Sequence, residues 1–292
     1  MSDSPLVTIG LPVYNSERYL RQSLDSLLAQ TYSDFVLIIN DNASTDGTPR
    51  ICEEYAAADP RVKCFRNATN IGNPRNFNRI FELTTTRYLK WSTADDFWDP
   101  AFLERAVEVM EGDPTIALCY PKTYIVDAEG GNPRPVEDNL HLVQPDPAER
   151  FLRVISNIGL AHQHLGLIRM ACLRRTHLLG VHVASDVNLL AELALYGKFH
   201  ELPERLFFRR FHKTSGSWKR DDPAHQAKHY HGTVKRDAKM TRWRGHTAFL
   251  SAVSASPLPR RSKMRLYRHL LRRMIWDRRD LLGELTYRLG TR

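Results

Sequence analysis

A chain of 292 residues with 42% apolar and 10% aromatic residues is long enough to bury a substantial core and too apolar to be disordered. No apolar stretch approaches the roughly 20 residues that cross a bilayer; the start Met1-Ser2-Asp3-Ser4-Pro5 lacks the features of a signal peptide; and the scattered Cys52, Cys64, Cys119 and Cys172 read mostly as small core residues, so a cytoplasmic protein is expected. Of the net charge of +9, +8 lies in Pro257–Arg292, where ten Arg and one Lys face Asp277, Asp280 and Glu284, so the basicity describes the tail and not the main body.

In chain order, Leu6–Leu11 reads as a buried strand. Asn15 or Ser16 can cap a helix in which Leu20, Leu24, Leu27 and Leu28 share a face. Phe35–Asn40 is a second strand, a helix follows Gly47 through Ile51, Tyr55 and Ala56, and Val62–Phe65 is a third strand. Asn73–Leu83 is a helix and Arg87–Ser92 a fourth strand. Asp99-Pro100 opens a helix running to Met110, with proline in its first turn, and Ile116–Tyr120 is a fifth strand. This alternation predicts a parallel sheet covered by helices. The pattern then loosens: Asp127–Gly131 is a turn after a hairpin strand, Asn132–Pro147 a Pro-rich loop, Phe151–Ile158 and Val187–Tyr196 helices, and Arg205–Phe211 a short strand. From Pro223 onwards the reading is helical and polar.

Two of these strands run into acidic segments about fifty residues apart: Asp41–Thr48 after Phe35–Ile39, and Thr93-Ala94-Asp95-Asp96 after Tyr88–Trp91. Open α/β sheets bind ligands at the carboxyl ends of their strands. Carboxylates clustered there are costly unless paired or metal-bound, so the pattern points to a metal and a phosphate-bearing ligand. Asp41 can accept an N–H from a planar ring such as N3 of uracil, or form an Asx-turn or helix cap. Asp95 and Asp96 repel unless a cation or proton separates them. Mg2+ or Mn2+ takes such oxygens together with substrate phosphates; the alternative is that one of them caps the helix near Asp99. In Asn70–Asn76, Gly72 permits close backbone approach and Arg75 near a helix start could pair with phosphate, or the segment is a plain turn with a surface arginine.

Pro12-Val13-Tyr14-Asn15-Ser16-Glu17, Asp41–Thr48, Asn70-Ile71-Gly72 with Arg75-Asn76, and Ala94-Asp95-Asp96 with Pro100 occur in the order and spacing of family 2 glycosyltransferases, which the chain resembles strongly over residues 6 to about 125 and more loosely to about 218. The resemblance implies a GT-A fold, an α/β nucleotide-diphospho-sugar transferase domain with a mostly parallel central sheet flanked by helices. It spans residues 1–218, with a nucleotide-sugar half of about 1–125 and an acceptor half of about 126–218; residues 219–292 form a helical basic C-terminal extension. It implies that Asp41 reads the nucleobase, that Pro12, Tyr14 and Glu17 border the nucleotide, and that Arg75 lies near base or diphosphate. Asp95 and Asp96 would be the counterpart of the family's D-x-D motif for a divalent metal, with the departure that Thr93 replaces its first acid. Asp186, in Ser185-Asp186-Val187-Asn188, occupies the place of the base that deprotonates the acceptor hydroxyl, with Ser185 for the usual glutamate; at a helix N-terminus it could equally be a cap. His212 would complete the metal shell or touch the diphosphate, and Arg209, Arg210 and Lys213 would neutralise it. His162 and His164 lie in the acceptor half and could line that site, but as lone histidines they read first as ordinary ones.

The implied activity is inverting, metal-dependent, hexosyltransferase-like transfer from a nucleotide-diphosphate donor, UDP-sugar first and dTDP- or GDP-sugar next, to a hydroxyl of a saccharide or lipid-linked acceptor, in surface polysaccharide, glycolipid or other glycoconjugate synthesis. A non-catalytic sugar-nucleotide binder is the alternative that Thr93 and Ser185 keep open. A basic nucleic-acid-binding protein would leave the acidic strand ends unexplained, and no nucleic-acid motif is present. A pyrophosphorylase or dinucleotide oxidoreductase would need a Gly-rich loop after the first strand, where Pro12-Val13-Tyr14-Asn15 stands. Residues 260–290 read as one or two basic amphipathic helices, with Leu266, Leu270, Met274 and Leu281 or Leu282 recurring among arginines, Tyr267 and Trp276. Such helices suit peripheral docking on an anionic inner membrane face; packing on the domain or a homodimer contact are the alternatives.

Overall fold

The computed structural model describes residues 5–212, 229–231 and 240–289. Four strands, β1 (Val7–Val13), β2 (Phe35–Asp41), β3 (Val62–Arg66) and β4 (Tyr88–Trp91), form the parallel half of one sheet in the order β3-β2-β1-β4. Between them run α1 (Glu17–Leu28), α2 (Thr48–Ala58) and α3 (Asn73–Leu83). β1, β2 and β4 are largely apolar and buried because helices cover both faces, with Ile9, Leu11, Leu37, Ile39, Leu89 and Trp91 fully buried, whereas the edge strand β3 is exposed beyond Val62. The expected stripe on α1 is the packing face, with Leu20, Leu24 and Leu27 at zero exposure, each contributing about 1.5–3 kcal/mol of burial.

The second half is mixed. After the two-residue β5 (Phe97–Trp98) and α4 (Phe102–Gly112), the long β6 (Ile116–Val126) turns at Asp127–Gly131 into β7 (Arg134–Val136). Gly130 has φ +86°, a turn conformation that favours glycine. α5 (Pro147–Asn157) is capped by the Asp146 side chain, which accepts from Ala148 N at 2.9 Å, with Pro147 at its first position. A 3-10 turn (His162–Leu165) leads to β8 (Leu167–Arg169), which runs antiparallel between β4 and β6. Then come the short α6 (Met170–Leu173), α7 (Ser185–Leu193) and β9 (Lys198–Arg210), which is parallel to β6 and carries β5 on its other edge.

Three expectations shift. The helix expected from Asp99 begins at Phe102, because Asp99-Pro100 forms a turn whose carbonyls accept from Gln30 Nε2 at 2.8 Å and Thr31 N at 2.9 Å. The stretch expected as loop, Asn132–Pro147, contributes β7 and the buried Leu140 and Leu142, the latter bridging to Phe199. The strand expected as short from Arg205 begins at Lys198. After α8 (Thr241–Ala255), the basic tail forms two helices, within the one or two expected: α9 (Arg260–Trp276) and α10 (Arg278–Leu289). α8 packs on α7 and α9 packs on α5, with Phe249 edge-on to Phe151 and Leu266 and Leu270 buried. The boundary expected at 218/219 falls outside the described residues.

Candidate active site

The carboxyl ends of β1, β2, β4 and β9 and the N-terminus of α7 frame a cavity of about 770 Å3. Small-molecule sites run to roughly 300–1,000 Å3. From β1 come Pro12 and Tyr14, from the end of β2 Asn42, from the β4–β5 turn Thr93, Asp95 and Asp96, from β9 Arg209 and Arg210 followed by His212, and from α7 Asp186. The sheet edge explains the central meeting. β5 pairs antiparallel with β9 through Phe97 and Phe208, so the residues before Phe97 lie beside those after Phe208.

In that corner Asp95 Oδ2 is 3.0 Å from His212 Nε2. Asp96 is buried; one oxygen accepts from Arg210 N at 2.7 Å and the other from the Thr93 hydroxyl. Burial first, and the neighbouring Asp95 charge second, push the Asp96 carboxyl up to about 7. Asp95 and His212 therefore present donors to the cavity, while both oxygens of Asp96 are engaged within the protein. A carboxylate oxygen and an imidazole nitrogen suit Mn2+ or Mg2+ when phosphate and water supply the other positions. No cluster of three His, Cys, Asp or Glu able to hold a metal occurs among the described residues.

Arg210 is nearly fully buried and acts as a bracket: Nε donates to Asp95 O at 2.8 Å, Nη1 to Ala128 O at 2.8 Å, and the guanidinium lies 4.5 Å over the Tyr19 ring. Lys213, expected beside it, lies outside the described residues. Arg209 points the other way along the strand, with Nη1 donating to Leu160 O at 3.2 Å and approaching His162 Nδ1 at 3.3 Å.

Asp186 is in the first turn of α7 but not at its cap. That position belongs to Ala184, in the left-handed region at φ 62°, and makes no side-chain cap bond. The Asp186 carboxylate accepts only from Val187 N among the bonds described, at 2.9 Å, and shares the cavity wall with His164. The His164 Nδ1–H donates to Ala161 O at 2.7 Å, which leaves Nε2 as the acceptor of the neutral ring. Burial holds this imidazole below its ordinary pKa, opposed by the charge of Asp186. Ala161, like Ala184, is left-handed (φ 56°); such strain in non-glycine residues is characteristic of functional sites.

The other expected residues are held by contacts of their own. Asp41 is buried, accepts from Ser44 N at 3.0 Å and pairs with Arg66 Nε at 3.4 Å. Glu17 accepts from Gly47 N at 2.6 Å, and Arg75 donates to Ile71 O at 3.2 Å. None of the three lines the cavity. Conversely, Arg18, Tyr19, Asn73 and Tyr230 line it without having been expected there, and His162 and His164 line it although they read first as ordinary histidines. Gly72 makes room for one of them: at φ +86°, a Cβ would meet the Tyr230 carbonyl at 2.3 Å.

The sequence profile named Glycosyl transferase family 2 matches residues 8–175, more than half of the chain. Chondroitin synthase of Escherichia coli is 34% identical over 126 residues, 43% of this chain and 18% of that protein. The chain spans less than half the length of the curated relatives it matches. Among solved structures, S. aureus TarS 1-349 in complex with UDP-GlcNAc superposes with a TM-score of 0.68 at 16% identity, covering 92% of this chain and 72% of that one. The mannosyltransferase PcManGT from Pyrobaculum calidifontis, in complex with GDP-Man and Mn2+, gives 0.56 at 17% identity, covering 97% and 85%. At those identities the likeness concerns the fold, which is GT-A-like. With the profile matching residues 8–175 and the fold agreeing over 92% of the chain, the chain belongs to glycosyl transferase family 2.

Proposed function

We propose that this chain is an inverting glycosyltransferase that moves a sugar from a nucleotide-diphosphate donor, a UDP-sugar first and a dTDP- or GDP-sugar next, to a hydroxyl of a saccharide or lipid-linked acceptor in glycoconjugate synthesis. The observation that carries this reading is the shared cavity, which Asp186, Asp95, His212 and Arg209 all line. Asp186 takes the proton of the acceptor hydroxyl as its oxygen attacks the anomeric carbon; the bond to the diphosphate breaks, the nucleoside diphosphate leaves and the configuration inverts. A positioned base of this kind contributes about 10²–10⁴-fold. Its carboxylate is not at the helix cap and accepts only from Val187 N among the bonds described, which suits the role.

Arg209 neutralises the diphosphate. Asp95 and His212 would hold a divalent cation, Mn2+ or Mg2+, whose chemistry when bound is to neutralise charge developing on the leaving diphosphate. In this reading Asp96 braces the turn, and the metal role narrows to Asp95 and His212. Pro12 and Tyr14 flank the nucleotide; Glu17 and Arg75 support that wall. Asp41, at the end of β2 next to the cavity-lining Asn42 and oriented by Ser44 and Arg66, is the proposed acceptor for the ring N–H of a base that reaches past that wall residue.

The extension is proposed to seat the enzyme on an anionic membrane. No helix of the described residues is long and apolar enough to cross one. Yet among the described residues five of the nine exposed large apolar side chains lie on α9 and α10: Met264, Leu271, Ile275, Trp276 and Leu282. They are interleaved with the exposed Arg261, Arg268, Arg272 and Arg279. A second copy of so basic a face would be repelled, whereas anionic headgroups neutralise it.

The test of donor use is thermal unfolding with UDP-, dTDP- and GDP-sugars, with and without Mn2+. Ligands that bind only the folded state raise its stability by RT ln(1 + [L]/Kd). A Mn2+-enhanced shift with one class supports the reading; no shift with any class removes it.

A further inference from the structure

Behind Arg209 lies a buried polar row that folding alone does not explain. His162 is 4% exposed and Asp138 6%, while Thr123 is fully buried. His162 Nε2 is 3.0 Å from Asp138 Oδ2 and 2.7 Å from Thr123 Oγ1, and His162 Nδ1 is 3.3 Å from Arg209 Nη1. A guanidinium can only donate, so Nδ1 must be the bare acceptor and the ring proton must sit on Nε2, facing Asp138. One neutral tautomer satisfies every contact. Burial is the main influence holding the ring below its ordinary pKa, and so neutral.

The four groups come from β6, the stretch after β7, the 3-10 turn and β9, so the row exists only in the finished fold. A carboxylate and an imidazole buried together are costly, and apolar side chains would fill the space at less cost. The row ends at the cavity, on a guanidinium that the Leu160 carbonyl also holds.

We infer that Asp138 and His162 are positioning residues that fix the Arg209 guanidinium toward the diphosphate of the donor, Asp138 setting the tautomer of His162 and His162 setting the rotamer of Arg209. The inference rests on the proposed contact between Arg209 and the donor. It resembles the way carboxylates orient metal-bound histidines from behind, with an arginine in the place of the metal.

The experiment compares binding of UDP, dTDP and GDP with binding of the matching nucleosides, in Mn2+, for the wild type and for Arg209→Ala, His162→Gln, His162→Asn and Asp138→Asn. The ratio between nucleotide and nucleoside isolates the diphosphate contact, and a purely structural lesion would lower both affinities together. Arg209→Ala is expected to reduce the ratio; His162→Gln, which keeps a donor for Asp138 but drops the acceptor at Nδ1, is expected to reduce it about tenfold, the scale of one charge-assisted hydrogen bond. His162→Asn, which keeps an acceptor near Nδ1, is expected to retain more of it. Asp138→Asn reports on the row independently should His162→Gln fail to fold. If Arg209→Ala lowers the ratio and both His162→Gln and Asp138→Asn leave it at the wild-type value, the inference falls and the donor contact stands. If Arg209→Ala leaves it unchanged, or no nucleotide binds, both fall.

Discussion

Thr93 marks the chain's departure from a paired acidic motif, and its hydroxyl shows what replaces the missing carboxylate. It donates to Asp96, which also accepts from Arg210 N, so Asp96 is satisfied inside the protein and Asp95 is left to face the cavity with His212. The two neighbours should therefore respond differently to truncation. Asp96→Ala strands a buried backbone N–H and should cost about 1–3 kcal/mol in chemical unfolding. Asp95→Ala should leave unfolding near wild type and abolish the Mn2+-dependent part of the donor's thermal shift. Equal stability losses in the two variants would contradict this division. The adjacency of Asp95 and Asp96 was legible in the sequence because it is local. Which oxygen faces the cavity was not, because it depends on the β5–β9 pairing, made across more than one hundred residues.

The elements that were legible are those with a long period. Leu20, Leu24 and Leu27 fixed the face of α1, and α3 runs from Asn73 to Leu83 as its spacing predicts. β5 and β8, of two and three residues, carry no periodicity to read and owe their existence to neighbours distant in the chain. The segment joining β3 to α3 is likewise held by tertiary contacts. Asn76 Oδ1 accepts from Asn40 Nδ2 and, at 3.0 Å, from Asn67 Nδ2, and Asn42 Oδ1 accepts from Asn67 Nδ2 and Ile71 N, both at 3.0 Å. Removing this hub by Asn76→Ala should cost about 1–3 kcal/mol in chemical unfolding; a loss within 0.5 kcal/mol, about the scatter of surface substitutions, would mean the amides are not coupled. The stretch between α5 and α7 carries His162, His164 and His182, all held below their ordinary pKa mainly by burial. For a group lowered in the folded state, the stability is complete above the unfolded value of about 6.5 and is lost as pH falls below it. Unfolding midpoints should therefore fall between pH 7.5 and 5.5, and His182→Gln should remove part of that dependence. A flat profile over this range would contradict the burial of these rings.

At the scale of the molecule, the tail that read as basic and amphipathic has two apolar sides. Leu266 and Leu270 are buried against the domain, Arg273 donates to Ile155 O at 2.8 Å and Arg265 pairs with Asp146 at 2.9 Å, while Met264, Leu271 and Ile275 face outward. The sequence showed charge and helical spacing there, but not which leucines the domain would claim, since that depends on α5 and α8 being in place. Leu271→Glu with Ile275→Glu should leave the unfolding midpoint near wild type and release the protein from anionic vesicles in flotation; equal flotation on neutral vesicles would exclude an electrostatic anchor. The carboxylate expected to do the proton chemistry stands apart from all of this, at the head of α7. The most direct test is the rate of nucleoside diphosphate release from the best-bound nucleotide-sugar, with a saccharide acceptor or water, in Asp186→Asn. The rate should fall about 10²–10⁴-fold with donor binding and unfolding midpoint unchanged; release at the wild-type rate would show that Asp186 is not the base.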